Sequence, residues 1–137
     1  MDKLLLDTNF LLDVALEHRP GAADAAGLFD LAAKGDVACC VSPTSLKDFY
    51  YISRRDFGDG IRRGWIALFM DTFAVVSLDR GACSRALASD EPDFEDGIIR
   101  ALAESEGCTH IVSRDEGAFL GSAVAKIEAG EYLRLFG

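Results

Sequence analysis

Four aspartates carry the chemistry this sequence has to offer: Asp7 in LLLDTNFLLD, Asp48 in SPTSLKDFYY, Asp96 in PDFEDGII and Asp115 in IVSRDEGAF. Three of them end an apolar strand-like run or open a helix, the places where a parallel α/β sheet gathers its active site. Such a set is an oxygen-donor site for a hard cation, because Mg²⁺ and Mn²⁺ prefer carboxylate and water oxygens and need several negative charges to hold them. Each acid also has a plainer reading. Asp7 or Asn9 can cap the helix that follows the first strand by accepting from its free amides. Asp93 and Asp96 suit the N-cap and N3 positions of a capping box, where acids also favour the positive end of the helix dipole. Asp48 has no such excuse: it lies inside a helix, where Asp is a poor former, so another interaction is expected to compensate it.

The elements that must position these acids are legible as short apolar or β-branched runs alternating with helical periodicity, the pattern of a parallel α/β sheet. Strands are expected at 3–7, 37–41, 73–78 and 108–113, with a short edge strand at 125–127. A helix follows the first strand over about 9–17, and a second over 22–34 buries Ala25, Leu28, Phe29 and Ala32 before Gly35 closes it. Ser42 and Pro43 open a third, reaching about Arg55 with Leu46, Phe49, Tyr50 and Ser53 inward and Asp48 on another face with Thr44, Tyr51 and Ile52. Further helices are expected over 61–71, 81–89 and 94–106, the last between Pro92-Asp93 and Gly107. The segment 128–136 reads as strand or helix equally well.

Length and composition bound what these pieces can build. A chain of 137 residues, half of them hydrophobic and 27% charged, is one globular domain rather than a disordered segment. The apolar stretch from Leu4 to Leu16 is broken by Asp7, Asn9 and Asp13, unlike the h-region of a signal peptide, and no run reaches the ~18 residues of a membrane span. A cytoplasmic protein with no membrane partner is the expectation. Cys39, Cys40, Cys83 and Cys108 form no CxxC pair, and neither His18 nor His110 stands at zinc-finger spacing from them, which argues against structural zinc or a disulfide framework. The net charge of −9 argues at first against nucleic acid, whose phosphates attract Lys and Arg. Part of it is local, however: Ser89 to Asp96 holds five acids that a bound cation would offset. Arg54, Arg55, Arg62 and Arg63 form the one concentrated basic patch and are the candidate RNA contacts.

Taken in order, LLLDTNFLLD, SPTSLKDFYYI, DFEDGII and THIVSRDEGAF resemble the motifs of the PIN domain family, in particular its stand-alone bacterial members of the VapC type, the ribonucleases of toxin–antitoxin modules. The pieces are weak singly, but the ordered set spans most of the chain. The resemblance implies a single domain over residues 1–137, a three-layer α/β/α sandwich with a central, mainly parallel sheet. It implies a Mg²⁺- or Mn²⁺-dependent endoribonuclease in which Asp7, Asp48, Asp96 and Asp115 match the acidic quartet. Asp7, Asp96 and Asp115 would be the main metal ligands, with Asp48 orienting water or holding a second ion. Thr8 or Asn9 and Ser113 match the polar supporting positions. One departure is the second acid, commonly Glu in the family and here the shorter Asp48. The partners implied are an RNA substrate, a possible antitoxin protein and a second copy in a homodimer. Apolar content points the same way: Phe49, Tyr50, Tyr51, Ile52, Phe57, Ile61, Trp65 and Phe69 crowd two successive helices of a domain with one core to bury them, so Tyr51, Trp65 and Phe69 are the aromatics expected to stay partly exposed. The competing reading is a catalytically inactive PIN-like scaffold that binds RNA or protein; a scaffold has no reason to keep all four acids.

Overall fold

The computed structural model describes all 137 residues. Its five strands, β1 (Lys3–Leu6), β2 (Ala38–Val41), β3 (Ala74–Val75), β4 (His110–Val112) and β5 (Ala125–Ile127), form one sheet in the order β3-β2-β1-β4-β5 with every pairing parallel. Seven helices connect them: α1 (Thr8–Ala15), α2 (Ala22–Ala33), α3 (Pro43–Ile52), α4 (Asp59–Thr72), α5 (Arg80–Ala88), α6 (Phe94–Ser105) and α7 (Ala129–Phe136). A parallel sheet must be covered on both faces, and the strand sequences obey this, being apolar at consecutive positions. Leu4, Leu6, Cys39, Val41, Val112 and Ile127 point into a core shared with α1 to α4 and α7. Leu5, Cys40 and Ile111 point the other way, into a second core with α5 and α6. The result is the expected α/β/α sandwich, and Cys39 and Cys40 fall on opposite faces as adjacent strand residues must.

Strand order fixes where a site can form. From β1 the chain moves outward through β2 and β3, then crosses back to build β4 and β5 on the other side of β1. The boundary between β1 and β4 is therefore the topological switch point, and ligands of open α/β sheets bind outside the carboxyl ends of the strands there. Asp7 stands directly after β1, its amide donating to the Val112 carbonyl of β4 at 3.3 Å, and Asp115 lies just beyond β4.

Several expectations need correction. The third strand is only Ala74–Val75, because this edge faces solvent: both residues are exposed, and past them only the Val76 amide still reaches β2, donating to Val41. The third helix stops at Ile52 and tightens into a 3₁₀ turn, Ser53–Arg55, as the Ser53 hydroxyl donates back to the Phe49 carbonyl at 2.6 Å. The undecided segment 128–136 is the helix α7. Phe69 is not a surface aromatic. It is wholly buried, edge-on to Phe49 with ring centroids 5.1 Å apart and stacked on Phe73, so the larger core absorbs an aromatic that seemed to exceed its capacity. Trp65 is half-buried against the same core and Tyr51 is exposed. No helix is long and apolar enough to cross a membrane. Gly35 and Gly107 end α2 and α6 at positive φ, the backbone conformation for which glycine is suited.

Candidate active site

Asp7 is the N-cap of α1: it lies in extended backbone and accepts from the Phe10 amide at 2.9 Å. Capping and site-building are thus compatible in one residue, because the cap occupies only one of the carboxylate's oxygens. The side chain is buried, and burial pushes its pKa up to about 6 against the stabilising pull of the Ser113 hydroxyl and the Phe10 amide. Ser113, just past β4 and itself buried, favours the charged form of Asp7, and its hydroxyl accepts from the Asp115 amide at 3.1 Å.

Asp93 is the N-cap of α6 and accepts from the Glu95 amide at 2.8 Å, which leaves Asp96, in the first turn, free for the cleft. The half-buried Asp96 has its pKa raised to about 6, first by desolvation and then by repulsion from Asp93, Asp115 and Asp7. Asp115 is exposed, and its Oδ1 accepts from the Gly117 amide at 2.9 Å. The loop that carries it is strapped to α6 and to the turn before it: the Phe119 amide donates to Glu91 Oε2 in that turn at 3.0 Å, and Arg100 of α6 donates to the Gly121 carbonyl at 2.7 Å. This clamp holds Phe119 at φ 64°, an uncommon conformation for a bulky residue.

Asp48 projects from the middle of α3. Its compensation is Lys47 Nζ at 2.7 Å and a hydrogen bond shared with Glu95. Burial pushes Asp48 up, but those two partners outweigh it and bring its pKa below the ordinary value. Glu95 moves the opposite way, up to about 7, through desolvation and then through Asp48, so of the two Glu95 is the one that takes a proton more readily. Thr8 Oγ1 donates to Glu95 Oε1 at 3.3 Å. The helices α1, α3 and α6 meet through these three side chains.

Asp7, Asp48, Asp96 and Asp115 line a single cleft at the carboxyl edge of the sheet, joined there by Thr8 and Asn9. Sequence reasoning missed Asp93 and Glu95 as lining residues of the same cleft. The signal for Glu95 was its place one residue before Asp96 in the first turn of α6, where neighbouring side chains have not yet rotated away from the helix mouth. The four arginines are elsewhere. Arg54 lies over the Tyr51 ring at 3.7 Å, Arg62 over Tyr50 at 4.2 Å with a bond to the Tyr50 carbonyl, and Arg63 pairs with Asp59 at 2.9 Å. Neither they nor Arg55 line the cleft.

A family model described as PIN domain matches residues 3–117. The chain belongs to the PIN domain family. No curated protein matches its sequence. Among solved structures the PIN domain is similar to Mycobacterium tuberculosis VapC20, a sarcin-ricin loop cleaving toxin, at TM-score 0.67 and 16% identity over 82% of this chain and 89% of that one. It is similar to VapBC2 from Rickettsia felis, bound to a promoter DNA fragment, at TM-score 0.66 and 12% identity over 92% and 98%. FitAcB from Neisseria gonorrhoeae gives TM-score 0.64 and 18% identity over 92% and 97%. At these identities the likeness is one of fold.

The cleft of this PIN domain holds oxygen donors and no Cys or His, the donor set of Mg²⁺ or Mn²⁺ rather than zinc. Three of its carboxylates, Asp7, Glu95 and Asp96, have raised pKa values, chiefly because burial strips them of water, which is the electrostatic condition a divalent cation relieves. As the side chains stand, no three are close enough to chelate one ion, so binding would draw them together by rotamer changes.

Proposed function

We propose that this PIN domain is a Mg²⁺- or Mn²⁺-dependent endoribonuclease that hydrolyses RNA phosphodiester bonds, acting as the toxin of a toxin–antitoxin module. The observation that carries the reading is the convergence of Asp7, Asp48, Asp96 and Asp115, from four separate stretches of chain, on one cleft at the switch point of a PIN fold. Similarity to a sarcin-ricin loop cleaving toxin and to toxin–antitoxin complexes supports it further.

A divalent cation bound here would supply an activated water and would offset charge on the phosphate. Asp7, Asp96 and Asp115 are the residues to hold it. The Phe10 amide holds one oxygen of Asp7 at the mouth of α1, leaving the other for a cation, and the Ser113 hydroxyl favours the ionised form. Asp48, held by Lys47 and Glu95, orients water on the α3 side. The substrate's flanking phosphates run along Arg54, Arg55, Arg62 and Arg63, beyond the acidic rim. The apolar side chains exposed on α3 and α4, Tyr51, Ile61, Leu68 and Met70, suit contact with a second copy or an antitoxin.

The test is cleavage of total RNA with Mn²⁺ or Mg²⁺, with a chelated control and the Asp7→Asn and Asp96→Asn variants. Metal-dependent fragments lost in both variants are expected. Protein that binds Mn²⁺ and RNA yet cuts nothing is a scaffold, and the enzymatic reading then fails.

A further inference from the structure

Behind Asp7, away from the acidic cleft, a second charged group is built into the fold and plays no part in the chemistry so far described. Asp13, on the buried face of α1, is 4% exposed. Its carboxylate accepts from Arg19 Nε at 2.7 Å and, in a two-pronged contact, from Arg114 Nε at 2.9 Å and Arg114 Nη2 at 2.8 Å. A planar guanidinium bound through two nitrogens is fixed in direction as well as position. Gly21 closes over the pair: a Cβ there would stand 2.3 Å from Asp13 Oδ2 and 2.9 Å from Arg114 Nε, so any side chain at this position must push the Asp13 carboxylate aside.

The place of Arg114 in the chain gives this contact its meaning. It lies between Ser113, which holds Asp7, and Asp115, which lines the cleft. Asp13 belongs to the helix that Asp7 caps. The Asp13–Arg114 contact therefore ties the element that starts at one proposed metal ligand to the segment that carries another. Arg19 extends the tie, donating from Nη2 to Asn9 Oδ1 at 3.0 Å.

We propose that Asp13 and Arg114 are a positioning pair that sets the separation of Asp7 and Asp115, and thereby the affinity of the cleft for a divalent cation. The inference rests on the metal-dependent reading of the cleft. It predicts a sign that charge alone would not give. Arg114 carries a positive charge near Asp7, so removing that charge by itself would tighten cation binding; removing the positioning contact weakens it.

The experiment measures Mn²⁺ binding by the electron paramagnetic resonance signal of free Mn²⁺, on the full chain, for wild type, Arg114→Gln, Arg114→Lys, Gly21→Ala and, as a core control, Leu28→Ala. Wild type binds, and Arg114→Gln and Arg114→Lys each weaken binding by about tenfold or more, as loss of groups that orient metal ligands does. Gly21→Ala, which changes no charge but forces Asp13 from Arg114, weakens it too. Leu28→Ala lowers the thermal midpoint and leaves the Mn²⁺ affinity alone. Arg114→Gln or Gly21→Ala binding Mn²⁺ as tightly as wild type overturns the positioning role while the metal site stands. A wild type that does not bind Mn²⁺ overturns the metal-dependent reading and the positioning role with it. Should the Arg114 variants fail to fold, Gly21→Ala decides.

Discussion

Asp7→Asn in metal-free protein should make the fold more stable while destroying the proposed site. Asp7 is 7% exposed, and its carboxyl is raised from the ordinary 3.8 to about 6, chiefly by burial. At ~1.4 kcal/mol per pH unit, holding it ionised near neutrality costs the folded state about 3 kcal/mol. Asn keeps the acceptor for the Phe10 amide, so the helix cap survives and most of that cost is recovered. For a chain of this size the gain corresponds to a rise of about 6–10 °C in Tm. The sign has a pH signature. The folded pKa lies above the unfolded one, so folded wild type binds the extra proton and its deficit is full above pH 6. It shrinks as pH falls from 6 towards 4, and the advantage of Asp7→Asn should fade over that window. Calorimetry in chelator at pH 8 and pH 4.5 measures both limits; adding Mn²⁺ should then stabilise wild type and not the variant. A lower Tm for Asp7→Asn at pH 8 without metal would refute the argument that buried charge in this cleft is a destabilising feature of the apo protein.

Glu95→Gln should lower the single-turnover cleavage rate by about tenfold or more, because Glu95 meets both Asp48 and Thr8 inside the cleft; an unchanged rate would make it a bystander. Replacing Arg54 and Arg62 together with alanine should raise KM and reduce the log-log salt dependence of RNA binding by roughly one to two, and an unchanged slope would remove the patch from the RNA path. Sedimentation at high micromolar concentration should detect a homodimer closed over the apolar residues of α3 and α4, and a clean monomer would rule it out.

Element type was legible because the alternation of strand and helix periodicity is a local signal, and the parallel sheet requires both strand faces to be apolar. What local signals cannot supply is the length of an element at the boundary of the sheet. Val75 and Val76 look alike in sequence, yet the paired register ends at Val75 because its partner Val41 is the last residue of β2, and only the Val76 amide still bonds back to it. Phe69 was misplaced for a similar reason. Counting aromatics against one core ignores that the sheet divides the interior in two, and that the larger half stacks Phe49, Phe69 and Phe73 within one cluster.

The four aspartates could be read from sequence because each lies at a strand end or helix start, or is otherwise unexplained within its own helix, and these are positions where local structure alone tells where a side chain is heading. Asp13 lacks that property, and the place of Glu95 at the start of α6 does not show which residue it meets. The importance of Glu95 comes from its distance to Asp48, a residue of another helix, and that of Asp13 from an arginine 101 positions away. Even so, Asp13 carried a trace. An acid among Phe10, Leu11, Leu12 and Ala15 on a helix buried against the sheet must find a partner or unfold its surroundings, and within LLDVALEHRPG the nearby cation is Arg19. That trace finds one arginine. The second, which links the two ends of the cleft, becomes visible only when β4 is laid beside β1. Acids that line the cleft are marked by their place along the chain; an acid paired with a distant arginine is found only where strands meet.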